Sequence, residues 1–265
     1  MAAPKESMAE IADVLCAEPA PASNVPGPAS APAATANIPM ARDSGRRWTA
    51  RAVLVDPDGG PAEHLRHFAM RLNRDLDSRG ERSVAVTSSL RGEGKTTVAC
   101  NLALALTAVT ENKRIALVDL DLRRPRAASA LGVEPTVGIE RVLSGAAPLE
   151  AARIRTQVPA LDLYLVRRPV AGLFGALAAG RVIAELGSKY DLVVVDTPPV
   201  LLVPDVVLLL PHVGACFVVV RLGVTRQNAL AKALEEIPED KLLGAFVNEM
   251  RRPSYYGDYG YYSDA

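Results

Sequence analysis

The stretch Ser83–Thr96, SVAVTSSLRGEGKT, constrains this chain more than any other. Small and β-branched residues from Ser83 to Ser88 have the composition of a buried strand. From Lys95 to about Ala108 the sequence turns to alanine, leucine and threonine, which favour a helix in this setting. Between them, SLRGEGKT (Ser89 to Thr96) matches the P-loop pattern except that serine holds the first glycine position. Triphosphate oxygens need several N–H donors converging at once. Gly92 and Gly94 let the backbone wrap closely enough for loop amides and a helix N-terminus to supply them. Ser89, Arg91, Gly92, Glu93, Gly94, Lys95, Thr96 and Thr97 are therefore the candidate phosphate cradle. Lys95 is placed to reach the β- and γ-phosphates of a nucleoside triphosphate, and the Thr96 hydroxyl to coordinate Mg²⁺.

Further apolar runs of strand length lie at Arg114–Asp119, Leu161–Val166, Leu192–Asp196, Cys216–Arg221 and Leu243–Asn248, with helical patterns between them. This alternation predicts an α/β fold: a doubly wound, mostly parallel sheet of about seven to eight strands flanked by helices. No period of twenty to fifty residues repeats, which argues against a solenoid or propeller.

Two of these strands end in carboxylates. RIALVDLDLRRP delivers Asp119 and Asp121 to one side of a strand's C-terminal end, the edge at which open α/β sheets bind ligands. DLVVVDTPPV ends in Asp196, with Pro198 and Pro199 stopping the strand. Buried carboxylates are costly without a cation, so Asp119 and Asp121 read as residues around Mg²⁺ and the γ-phosphate, and Asp196 as a Walker B carboxylate that holds Mg²⁺ through its water shell.

Before the P-loop, Leu65, Phe68, Leu72 and Leu76 recur at helical spacing between Pro61 and Arg79, with His64, Arg71, Arg74, Asp75 and Arg79 on the other faces. The first 47 residues contain PAPASNVPGPASAPAATA and read as a disordered Pro/Ala-rich linker, leaving 48–250 as the folded domain and 251–265 as a flexible tail. Thirty basic and thirty acidic residues leave no basic excess for nucleic acid. Cys16, Cys100 and Cys216 are far apart and read as packing residues in a reducing compartment. No apolar h-region opens the chain, and the run Leu192–Leu210 carries Asp196, Asp205 and three prolines, so a cytoplasmic protein is expected.

The tail, RRPSYYGDYGYYSDA, places Tyr255, Tyr256, Tyr259, Tyr261 and Tyr262 among glycine, serine and aspartate. No apolar stripe runs through it. Its hydroxyls are expected to be exposed and available to accept phosphoryl groups.

Together, SLRGEGKT, VDLDLRRP, VVVDTPP and the tyrosine-rich end resemble the bacterial tyrosine kinases of capsular and exopolysaccharide biosynthesis, over residues 61–265; LGVEPTVGIERVLSG and LLGAFVN extend the likeness. The resemblance implies an ATP- and Mg²⁺-dependent autokinase that phosphorylates its tail tyrosines in trans and regulates polysaccharide polymerisation and export. It implies Asp119, Lys95 and Asp121 as catalytic residues, with Asp119 activating the tyrosine hydroxyl, Asp121 and Asp196 at the metal, and Asn248 near the adenine. It also implies a membrane-embedded activator, fused to the kinase or separate, whose cytoplasmic tail completes the site; with no span visible in this sequence, a separate inner-membrane partner, a polysaccharide co-polymerase, is expected. That partner would recruit the chain to the cytoplasmic membrane. A homo-oligomer and a cognate tyrosine phosphatase belong to the same expectation.

The sequence departs from the family in three places. Arg91 stands where proline is usual. The ring-forming pattern of arginines three and six residues after a glutamate is met by Glu63 and Arg66 but has Ala69 at the second place. RRPVAGLFGAL (Arg167 to Leu177) replaces a proline- and asparagine-rich stretch. Two other readings remain: a Min/Par-like ATPase switch, against which Leu90 stands where those proteins carry an extra lysine, and an ATP-binding scaffold of an export complex.

Overall fold

Strand β2 (Ser83–Ser88) and strand β6 (Leu192–Asp196) are buried along their whole length, as strands covered on both faces must be. They pair in parallel, Ser83 with Val193 through Val86 with Asp196. In this computed structural model the described residues are 35–38, 52–170 and 175–248. Cys16, most of the expected linker and the tyrosine tail lie outside them. Around the central pair stand β3 (Ile115–Asp119), β5 (Leu161–Tyr164), β7 (Ala215–Arg221) and β8 (Leu242–Asn248), with β1 (Thr35–Ala36) and β4 (Arg153–Thr156) at one edge. The order is β1-β4-β5-β3-β6-β2-β7-β8. All neighbouring pairs are parallel except β4 with β5, so the expected doubly wound, mostly parallel architecture is what the chain forms.

Alternation along each strand sends side chains to two cores. Val84, Val86, Leu117 and Val194 pack under helices α1 (Ala52–Val55), α2 (Gly60–Arg79), α3 (Lys95–Val109) and α4 (Ala127–Leu131). Ala85, Val118, Val193 and Val195 face α5 (Ile139–Leu143), α6 (Ala176–Lys189), α7 (Asp205–Leu209) and α8 (Gln227–Glu235). Helix α2 starts with Pro61 in its first turn and stops at Gly80, whose φ of 67° closes a left-handed cap. Its inward face is Ala62, Leu65, Ala69, Leu72 and Leu76, and Phe68 meets Phe217 and Phe246 edge-on. Ala69 has no exposed surface. The second arginine of the ring pattern would therefore fall in the core, whereas Arg66 lies at the helix surface and donates to the Pro57 carbonyl.

Two strands are not visible as apolar runs. β4, RIRT, buries only Ile154 and is held by Arg153, whose guanidinium reaches Asp162 at 2.9 Å. β1 falls inside the stretch read as linker, 1–47. Thr35 pairs with Arg155, and Ile38 is fully buried, with its N–H and carbonyl both bonded to the Gln157 amide at 2.8 Å. One isoleucine and two side-chain hydrogen bonds dock this short segment, a signal too local for composition to carry.

Candidate nucleotide and phosphoryl-transfer site

The P-loop joins β2 to α3 at the sheet's C-terminal edge, between β6 and β7. Gly94 adopts φ 96° at the N-cap of α3, and a Cβ there would overlap the Asn248 amide. Gly92 adopts φ 81°. Both glycines therefore have conformational reasons, and Gly94 has a steric one too. Lys95 opens α3, so Lys95, Thr96 and Thr97 occupy its first turn, where free N–H groups and the helix dipole favour anions. Arg91 is exposed at the loop tip, while Ser89 is fully buried with no partner for its hydroxyl.

Glu93 behaves differently from a phosphate-facing residue. It is 2 % exposed; one carboxylate oxygen accepts from the Leu90 N–H at 2.8 Å and the other from the Thr225 hydroxyl at 2.6 Å. Arg221 donates to the Gly92 carbonyl at 3.2 Å, and Asn248 to the Glu93 carbonyl at 3.1 Å. The loop is thus braced from the ends of β7 and β8. Asn248, expected beside the adenine, is 6 % exposed with its amide on this brace. Nothing in the sequence singles out Thr225 and Arg221. Their signal was polar side chains at a strand's C-terminal end, with no motif around them.

Three carboxylates converge on Lys95. Register sets Asp119 beside Asp196 on neighbouring strands β3 and β6. Lys95 Nζ lies 2.8 Å from Asp121 Oδ2 and 4.0 Å from Asp196 Oδ1. Asp119 is fully buried and accepts from the N–H groups of Asp121 at 3.0 Å and Ala127 at 3.2 Å. Burial, with the Asp196 charge adding to it, pushes Asp119 up to about 8. Asp196 is also fully buried, and neither of its oxygens has a hydrogen-bond partner. Burial lifts it to about 6, against the opposing charge of Lys95; Thr96 favours its charged form from nearby without completing a hydrogen bond to it. For Lys95, burial alone would lower the pKa, but Asp196, Asp121 and Asp119 outweigh burial and hold it above its ordinary value.

One cation among three carboxylates leaves the site short of positive charge. The orphaned oxygens of Asp196, next to a P-loop threonine, suit a divalent ion held by one or two carboxylates and substrate phosphates. Among the described residues no three acidic, histidine or cysteine side chains form a metal cage of their own. At the opposite end of the sheet, a groove lined by Gly80, Glu81, His212, Gly214 and Lys241 lies away from this chemistry.

Comparison with known proteins fixes the family. The model of the CobQ/CobB/MinD/ParA nucleotide binding domain matches residues 84–253. Tyrosine-protein kinase YwqD of Bacillus subtilis (strain 168) is 32% identical over 215 residues, covering 79% of this chain and 89% of that protein. The chain belongs to the bacterial tyrosine kinases. The kinase is also similar to the crystal structure of the chimerical protein CapA2B2, with 26% identity and a TM-score of 0.69 over 78% of the kinase and 92% of that chain. Its fold further matches cobyrinic acid a,c-diamide synthase from Mycobacterium smegmatis with bound ATP analog and magnesium, at 26% identity and a TM-score of 0.53, over 63% of the kinase and 74% of that chain. Among the described residues no helix of the kinase is long and apolar enough to cross a membrane.

Proposed function

We propose that this kinase transfers the γ-phosphoryl group of ATP to its own C-terminal tyrosines, in trans, and so regulates polysaccharide polymerisation and export together with a separate membrane activator. The observation that carries the reading is the distribution of tyrosines against the site. The chain has seven. Tyr164 and Tyr190 are buried, with their hydroxyls 3.0 Å apart and Tyr190 donating to Asp162. The other five, Tyr255, Tyr256, Tyr259, Tyr261 and Tyr262, stand in a polar segment beyond the last core strand.

In the proposed reaction, incoming phosphates draw Lys95 from Asp121, and the loop amides and α3 N-terminus bind their oxygens. Thr96, Asp121 and Asp196 would hold Mg²⁺, which neutralises charge on the β- and γ-phosphates when bound. A tyrosine oxygen attacks the γ-phosphorus, its proton passes to Asp119, and the bond to the β–γ bridging oxygen breaks to release ADP. Burial makes Asp119 a stronger base than a solvated aspartate, nearer the pH at which it works.

Topology supports a neighbouring copy as donor of the tail. In the sheet, β2 and its P-loop lie between β8 and β3. Asn248, after which the tail begins, and Asp119 stand on opposite sides of the P-loop strand, which favours a tail delivered by a neighbouring copy. Mixing a Lys95→Met chain, as acceptor, with a chain whose five tail tyrosines are phenylalanine tests this. Phosphotyrosine on the acceptor supports transfer in trans. ATP hydrolysis with no phosphotyrosine on either chain would instead favour an ATPase switch of the Min/Par kind.

A further inference from the structure

Two Arg-Arg-Pro turns stand side by side at the site's edge. Neighbouring strands β3 and β5 pair in parallel through Val118 and Tyr164, and past their ends the chain reaches Arg123-Arg124-Pro125 and Arg167-Arg168-Pro169. The Val170 N–H donates to the Leu122 carbonyl at 2.9 Å, tying one turn to the other. Glu140 rivets the second turn. Its carboxylate accepts from the N–H groups of Arg167 at 3.1 Å and Arg168 at 3.3 Å, while the Arg167 guanidinium donates to the Thr136 carbonyl at 2.9 Å. Arg123, Arg124, Arg126 and Arg168 are exposed, and none has a side-chain partner among the described residues. Four exposed arginines on and beside two adjoining turns, without a side-chain partner among the described residues and in a chain of zero formal net charge, are a local field that favours an anionic partner.

We propose that this ledge receives the C-terminal segment 253–265 of a second copy of the chain, an inference that rests on the tail being the phosphoryl acceptor. Charge complementarity argues for that occupant. After Arg252 the segment contains no lysine or arginine, and it carries Asp258 and Asp264. Each tyrosine phosphorylated adds about 1.5 to 2 negative charges and three acceptor oxygens, the groups that guanidinium forks bind best. Arg123 follows Asp119 by only four residues, so a segment anchored on the ledge lies beside the reacting carboxylate. A phosphotyrosine held there presents one of the remaining tyrosines to Asp119, which makes multiple phosphorylation of one tail processive. The ledge also lies on the β5 side of β3, away from the P-loop strand.

The test uses full-length chains: an enzyme whose five tail tyrosines are phenylalanine, with or without Arg126→Ser and Arg168→Ser, acting on a Lys95→Met acceptor. The double substitution is expected to raise the KM for the acceptor about tenfold, as loss of two charge-assisted contacts should. It should leave the KM for ATP within about twofold and shift the acceptor from multiply to singly phosphorylated forms. Arg126→Lys with Arg168→Lys should restore most of the docking. An unchanged acceptor KM and phosphoform distribution overturns the ledge while leaving the kinase reading intact. So does a loss of binding to vesicles rich in anionic lipid with acceptor kinetics unaltered. No transfer by the parent enzyme overturns both readings together.

Discussion

Lys95 Nζ lies 2.8 Å from Asp121 Oδ2, so without nucleotide the P-loop's cation is held among carboxylates. Lys95→Met should therefore do two things. Phosphotyrosine formation should fall by about 10²- to 10³-fold through lost neutralisation of the transferring phosphoryl group. The ligand-free protein should also melt at lower temperature at neutral pH, because Asp121 loses its buried partner. A scanning fluorimetry comparison with wild type checks the second effect separately from the first.

Asp196 and Asp119 should make the ligand-free protein less stable as pH rises. Their folded-state values of about 6 and about 8 lie above the ordinary 3.8. The stability they contribute is fully present below the ordinary value and is lost as pH climbs through the folded ones. Denaturant midpoints measured from about pH 5 to about pH 8 should fall for wild type and fall less for Asp196→Asn. That variant should melt higher than wild type at the alkaline end while losing Mg²⁺-dependent transfer, as expected where function requires a destabilising charge.

Gly94→Ala should abolish nucleotide binding. At φ 96° an alanine is strained by about 1–2 kcal/mol, and its Cβ overlaps Asn248 as well. Titration with a fluorescent ATP analogue should show no saturable binding, with circular dichroism close to wild type.

Glu93 and Thr225 share a 2.6 Å hydrogen bond that braces the loop. Thr225→Val should raise the KM for ATP about tenfold with a smaller change in kcat, since a looser loop weakens binding in the ground and transition states alike. Thr225→Ser, which keeps the hydroxyl, should remain near wild type.

Ala69→Arg, which would complete the arginine pattern on α2, should instead cost about 3 kcal/mol or more, because position 69 is fully buried in the core. Chemical denaturation reads this directly.

The sequence made the sheet and the acidic site legible for one reason: both are written locally. β2 is a run of small and β-branched residues that leads into a glycine turn, β6 an apolar run stopped by Pro198 and Pro199, and both strands appear where those runs stand. The P-loop carries its chemistry within eight residues. β4 was hidden because RIRT buries one side chain and owes its place to Arg153 meeting Asp162. β1 was hidden because its one large buried side chain is Ile38, and its pairing with β4 and the Gln157 hydrogen bonds come from more than a hundred residues away. The same limit explains the loop's brace. Glu93 belongs to the motif, but its partners Thr225 and Asn248 come from 132 and 155 residues away, and no spacing in the sequence announces them. Nor does spacing show that the two Arg-Arg-Pro turns adjoin, since only the pairing of β3 with β5 brings them together.

Mass spectrometry of the C-terminal peptide after incubating the chain with ATP, Mg²⁺ and a candidate activator tail tests the central claim most directly. The account predicts phosphate on tyrosines between Tyr255 and Tyr262, absent from the Lys95→Met chain treated the same way. An unmodified tail on a wild-type chain that nonetheless hydrolyses ATP would contradict it.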